Sequence, residues 1–138
     1  MHELTARRRI EFSDTDLGGI VHFSRFFVFM ETAEDGFLRA LGSGFVFDHE
    51  GRRGGWPKVE ATCEYLSPAR YGDELTIHLE VLKVTRSTIS YGFTIRRDDV
   101  VLARGRTTSV CCAGKPGGGL EAIPIPADLA ARIEVAPG

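Results

Sequence analysis

The sequence predicts an α+β fold in which an antiparallel β-sheet wraps one long α-helix. Three observations lead there. One aromatic-rich stretch of helical period lies early in the chain. Long stretches of alternating period follow it, separated by short turns. A helix with a wide apolar stripe and a meander with one apolar face bury each other economically. With 138 residues, 43% of them hydrophobic, the chain suits a single domain spanning residues 1–138.

Residues 7–12 (RRRIEF) read as a short first strand, and SDTDLGG, 13–19, is a loop of turn formers. From residue 24 to 41 the pattern is helical. Phe26, Met30, Ala33, Phe37 and Leu41 recur at three- and four-residue steps, and Phe27 and Leu38 widen the stripe. Gly42 is a natural stop. Residues 42–55, rich in Gly and charge, read as a mobile loop. After Trp56-Pro57 the period becomes two: Val59, Ala61, Cys63 and Tyr65 alternate with Lys58, Glu60, Thr62 and Glu64, predicting a strand with one buried face. Further strands are expected over 74–84, 87–97 and 100–112, with Asp98-Asp99 turning the second hairpin. AGKPGGG breaks the chain, and a short helix is expected near 127–133.

Charge excludes several classes of function. Seventeen Lys and Arg against nineteen Asp and Glu give −2, with no basic block for a nucleic-acid face. No apolar run reaches membrane-spanning length, and the start lacks the layout of a signal peptide. Three cysteines, Cys63, Cys111 and Cys112, make an odd count without C-x-x-C, so a disulfide framework and a zinc site are not expected. His49 and His78 show no metal-ligand spacing. A reduced, cytoplasmic compartment is the expectation.

Chemistry concentrates in DTDLGGIVHF, residues 14–23. A carboxylate just before a helix is either a turn former or a group held ready for reaction. An oriented carboxylate and an oxyanion donor together can act on an electrophilic carbonyl that carries a good leaving group. The first N–H groups of a helix are unpaired and carry positive partial charge, so they suit the donor role. Gly18 and Gly19 let the backbone approach a substrate closely. Asp14 is read as the residue that shapes the loop by bonding backbone N–H groups.

The stretch IEFSDTDLGGIVHFSRFFVFMETA resembles the hotdog-fold acyl-CoA thioesterases of the 4-hydroxybenzoyl-CoA thioesterase type and their relatives from the Tol–Pal gene cluster. The pattern is a strand, then D-x-D-x-x-G-x-V, an aromatic, and a helix carrying F-x-E. WPKVEATCEYLSPARYGDELTI and LEAIPIPADL extend the resemblance to roughly residues 7–132. It implies a hotdog fold and hydrolysis of an acyl- or aroyl-CoA thioester. Asp16 falls on the catalytic carboxylate, as nucleophile or as base for water, and the Phe23 backbone N–H falls on the oxyanion donor. His22 is displaced by one position from the histidine of Tol–Pal relatives, a turn of roughly 100° on a helix. It is carried as a further catalytic candidate.

Substrate contacts implied by the resemblance are Gly19, Trp56 beside the acyl group, and Arg86, Ser87 and Thr88 at the nucleotide end of coenzyme A. Glu31 and Glu34 on the helix are the next carboxylates should Asp16 be inert. No cofactor is implied, since coenzyme A belongs to the substrate, and no metal. The expected partners are an acyl-CoA or an acyl carrier protein and further copies of the chain, as a homodimer assembling to a homotetramer. Two rival readings remain: a hotdog hydratase or dehydratase, and a non-catalytic acyl-CoA-binding module.

Overall fold

The computed structural model describes all of residues 1–138. Its centre is helix α1 (Arg25–Ala40), whose Phe26, Phe29, Met30, Ala33, Phe37 and Leu38 are buried. Around it curls a five-stranded antiparallel sheet ordered β1-β5-β6-β7-β4, made of β1 (Glu3–Arg9), β4 (Lys58–Tyr65), β5 (Glu74–Val84), β6 (Thr88–Arg97) and β7 (Val100–Val110). Alternation turns Leu75, Ile77, Leu79 and Val81 of β5 and Ile89, Tyr91, Phe93 and Ile95 of β6 onto the helix. On β7 the inward set is small: Ala103, Gly105, Thr107 and Ser109. Gly105 leaves room for Met30, since a Cβ there would overlap its sulfur and methyl and force that side chain to move.

The helix stops where its sequence says it should. Gly42 takes φ +83°, and Arg132 donates to the Leu41 carbonyl at 2.7 Å. Arg132 follows α2 (Ala127–Ala130), the short helix expected in the tail.

Four expectations need correction. The first strand begins earlier, at Glu3, because Leu4 and Ala6 pack on the core and Glu3–Arg9 pairs in full with β5. Residues beyond Arg9 turn away through Ile10 into a 3₁₀ turn, Phe12–Asp14. The stretch 42–55 is not all loop: β2 (Phe47–His49) and β3 (Arg52–Gly55) form a hairpin, too short and glycine-rich to show a period. That hairpin joins β8 (Cys112–Gly114) and β9 (Leu120–Ala122) in a second small sheet, so the last long strand ends at Val110. Cys111 and Cys112 are both buried where the chain crosses between sheets, and burial pushes the Cys111 thiol up to about 11.

The fourth correction concerns β4. Its expected buried face is largely open, with Val59 65% and Tyr65 45% exposed, because β4 is an edge strand with nothing beyond it. Its pairing with β7 slips by one residue between Lys58 and Glu60. That bulge places Lys58 opposite the inward Ser109, so Lys58 joins Ala61, Cys63 and Tyr65 on the helix side.

Candidate active site

The two acids of D-x-D occupy opposite environments. Asp14 is fully buried. Arg25 lies 2.8 Å and Arg8 3.3 Å from its Oδ1, and the Glu11 N–H donates to Oδ2 at 2.9 Å. Burial works against the charge, but the Glu11 N–H and the two guanidinium groups outweigh it and hold the carboxyl below its ordinary value. Its backbone carbonyl accepts from His22 N–H at 2.9 Å, clamping the loop to the helix entry. Asp14 is thus the structural acid expected from the sequence.

Asp16 is exposed and faces a groove of about 530 Å³ lined by Ile20, Val21, Phe23, Phe26, Tyr65 and Leu66, among others. Only Oδ1 is engaged, accepting from Gly18 N–H at 2.8 Å, so Oδ2 is open. The turn is closed by Gly19 N–H donating to the Asp16 carbonyl at 3.0 Å, with Gly19 at φ +79°, a conformation that favours glycine. A Cβ at Gly18 would press on Asp16 Oδ1.

At the helix entry, Phe23 N–H has no hydrogen-bond partner within the protein. A free N–H at the positive end of α1, beside a groove that holds a carboxylate, can receive a developing oxyanion. Tyr65 O–H donates to the Phe23 carbonyl at 2.9 Å and pins this entry to β4. Tyr65 also forms the groove wall, edge-on to Phe23 and Phe26. No site role for Tyr65 was read from the sequence; its one signal is an aromatic at the strand end, just before the turn.

His22 stacks on Phe23 with ring centroids 4.7 Å apart. Its Nδ1 accepts from Ser24 N–H at 3.3 Å and sits 2.8 Å from Ser24 Oγ. The imidazole therefore occupies itself with the first turn of the helix, and in its neutral form it carries its proton on Nε2.

The other predicted contacts lie elsewhere in the protomer. Trp56 is buried against Phe47 and does not line the groove. Arg86, Ser87 and Thr88 sit at the β5–β6 turn, with Arg86 exposed and in no ion pair. Ser87 and Arg86 accept backbone bonds from Cys111 and Ile125, which ties that turn to the segments leading into and out of the small sheet. Across β1 and β5, His78 Nε2 lies 3.1 Å from Glu3 Oε2 with Glu80 adjacent, a cluster that sequence spacing hides because its members are on different strands.

Buried in the centre is Glu34. Lys58 Nζ lies 2.7 Å from its Oε1, and Ser109 O–H donates to Oε2 at 2.9 Å. Burial raises its carboxyl above the ordinary value, and Lys58 and Ser109 only partly oppose this.

Comparison with known proteins fits this geometry. The model of the thioesterase-like superfamily matches residues 10–133. A protein of Aquifex aeolicus whose esterase activity is inferred is 34% identical, over 73% of this chain and 78% of its own. The 1,4-dihydroxy-2-naphthoyl-CoA hydrolase of Thermosynechococcus vestitus is 28% identical, over 95% of this chain and 88% of its own. The crystal structure of 4-hydroxybenzoyl-CoA thioesterase from Pseudomonas sp. strain CBS-3 superposes with a TM-score of 0.82 at 22% identity, covering 95% of this chain and 99% of that one. A sheet curled on one helix, a D-x-D turn at that helix's entry and a family match over most of the sequence agree: the chain belongs to the thioesterase-like superfamily and has its hotdog fold.

Proposed function

We propose that this protein hydrolyses acyl- or aroyl-CoA thioesters, with Asp16 as the reacting carboxylate and the Phe23 N–H as oxyanion donor. The observation that carries the reading is the pairing of one half-free carboxylate and one unpartnered helix-entry N–H at the same apolar groove. Asp16 either attacks the carbonyl carbon, giving a mixed anhydride that water then opens, or takes a proton from the attacking water. In both routes the C–S bond breaks and coenzyme A leaves as its thiolate. His22 bonds Ser24 through Nδ1, which leaves Nε2 as the atom through which it would exchange a proton.

A thioester panel with thiol detection tests this. Wild type releases coenzyme A, and Asp16→Asn loses roughly 10²–10⁴-fold of that rate with its fold intact by circular dichroism. Full activity in Asp16→Asn overturns the assignment. Multiple turnovers in oxygen-18 water separate the two routes: water that opens the anhydride at the Asp16 carbonyl leaves label in the Asp16 side chain, whereas the general-base route puts label only in the released acid.

The long open edge of β4 supports a second copy pairing there, with the dimer further assembling to a tetramer. Trp56 and the Arg86–Thr88 turn then contact substrate from outside the protomer's own groove. A carrier-protein thioester is an equivalent substrate for this chemistry. Three free cysteines fit a reducing cytoplasm.

A further inference from the structure

We propose that Glu3, His78 and Glu80, with His2 beside them, bind a divalent first-row transition cation such as Zn²⁺ and so clamp the edge strand β1 to β5. Alternation turns Ile77, Leu79 and Val81 of β5 onto the helix, which puts His78 and Glu80 together on the opposite face of the sheet. The β1–β5 register sets Glu3 directly across from Glu80 and diagonal to His78. The ligating atoms of these three side chains lie within 4.8 Å of one another. His78 Nε2 is 3.1 Å and His2 Nε2 3.9 Å from the same oxygen, Glu3 Oε2. Donors around a tetrahedral zinc, each about 2.1 Å from the metal, stand about 3.4 Å apart. The two imidazole separations straddle that spacing, and each glutamate has three side-chain torsions with which to close the wider gap. Spacing along the chain predicts no metal, whereas this set is assembled across two strands.

Charge points to the same ligand. Two carboxylates directly opposed on neighbouring strands repel. No lysine or arginine faces either of them from the adjoining strand: on β6, Gly92 stands across from Glu80 and Thr94 across from His78. Glu3 has only the two histidines as ion-pair partners, and Glu80 has none. A proton on His78 would answer Glu3 and leave Glu80 unpaired. A divalent cation answers both acids at once, and with neutral imidazole as a further ligand the charges sum to zero. Imidazole suits zinc and its neighbours, whereas Mg²⁺ and Ca²⁺ take oxygen ligands. The side chains are partly open to solvent, so an ion has access and water or His2 completes its coordination.

The place of the cluster in the fold defines what a bound ion does. β1 is an edge of the five-stranded sheet and is held from one side only. Beyond its first residue the ladder continues, with Val81 N–H donating to the His2 carbonyl at 2.9 Å. The Val81 carbonyl in turn accepts from Ala136 N–H at 2.8 Å, so β5 gathers the start of β1 and the tail at one point. A cation shared by Glu3, His78 and Glu80 adds a cross-strand link there. Arg9, at the other end of β1 and next to the D-x-D loop, is about 20 Å away along the strand. The site is therefore a structural clamp, and coenzyme A release has no part in its test.

The test is calorimetric titration of the untagged, chelator-treated chain with Zn²⁺. One equivalent should bind per chain. X-ray absorption of that complex should show nitrogen and oxygen neighbours at about 2.0–2.2 Å and no sulfur at about 2.3 Å, which separates the cluster from the three cysteines. His78→Gln and Glu80→Gln should each weaken binding by at least about 10-fold, the loss that even an outer partner of a metal ligand causes. His49→Gln, outside the cluster, should leave it unchanged. At about a hundred-fold excess over its Kd, Zn²⁺ should raise the melting temperature of wild type by roughly 5–10 °C, and most of that rise should vanish in Glu80→Gln. Both substitutions lie on the solvent face of the sheet, and circular dichroism checks that each variant is folded. No binding, sulfur in the coordination shell, equal competition by Mg²⁺, or an affinity unchanged in both His78→Gln and Glu80→Gln overturns the site.

Discussion

Asp14 and Asp16 are two residues apart and live in different media. Asp14 is ionised in the core by two arginines and a backbone N–H, whereas Asp16 keeps one oxygen in an open groove. The Asp14 carboxyl titrates lower folded than unfolded, so the unfolded chain binds the proton first as pH falls. Its contribution is present above its ordinary value of 3.8 and is lost as pH drops through the folded value. Asp14→Asn leaves two guanidinium groups uncompensated and should cost roughly 3 kcal/mol in urea denaturation, and it should remove part of the acid sensitivity. Glu34 has the opposite sign. Its folded carboxyl is raised, so its stabilisation is full below its ordinary 4.5 and declines as pH rises through the folded value. Thermal melting of Glu34→Gln from pH 4 upward should show a flatter profile than wild type; parallel profiles would refute this. The loop-shaping place of Asp14, which takes the Glu11 N–H, was legible from the turn chemistry. The depth of Glu34 was not, because a glutamate on an apolar helix face says nothing of the lysine that reaches it from another strand.

At the scale of elements, α1 and the strands β5 and β6 were legible because their periods are long and unbroken. The β2–β3 hairpin was hidden by strands of three and four residues. β4 shows why alternation alone misleads: Ala61, Cys63 and Tyr65 face the helix side on an edge strand with no neighbour to cover them, and the slip takes Val59 out of the alternation. The seam between α1 and β7 depends on Gly105, which gives up its side chain so that Met30 can lie flat against the sheet. Gly105→Ala should therefore destabilise by about 1–3 kcal/mol. Combining it with Met30→Ala should recover part of that loss in a double-mutant cycle, and strict additivity of the two would show that they do not touch.

For the whole molecule, the five-stranded sheet has two edges, and β4 presents the one that carries the groove wall. Val59, 65% exposed at the bulge, is an apolar position on that edge. Val59→Lys should shift sedimentation toward the monomer and lower coenzyme A release together, as edge charges oppose strand pairing. A monomer with undiminished activity would show that the groove is complete in one chain. Architecture of this kind is readable from the order of elements, because few arrangements bury one helix against one meander. Assembly is not, since it depends on which edge the fold leaves open.

The single extra residue in β4 has a consequence for how the strand tolerates a change of length. In a strand of the same length without the slip, Lys58 would share the outward face of Glu60 and Thr62, and Glu34 would lose its lysine. Tyr65, on the far side of the slip, would keep its place beside Phe23. Deleting Val59 would instead remove the extra residue and leave Lys58 opposite Ser109 in an unbroken ladder, so the strand can shorten by one residue and keep the Lys58–Glu34 pair.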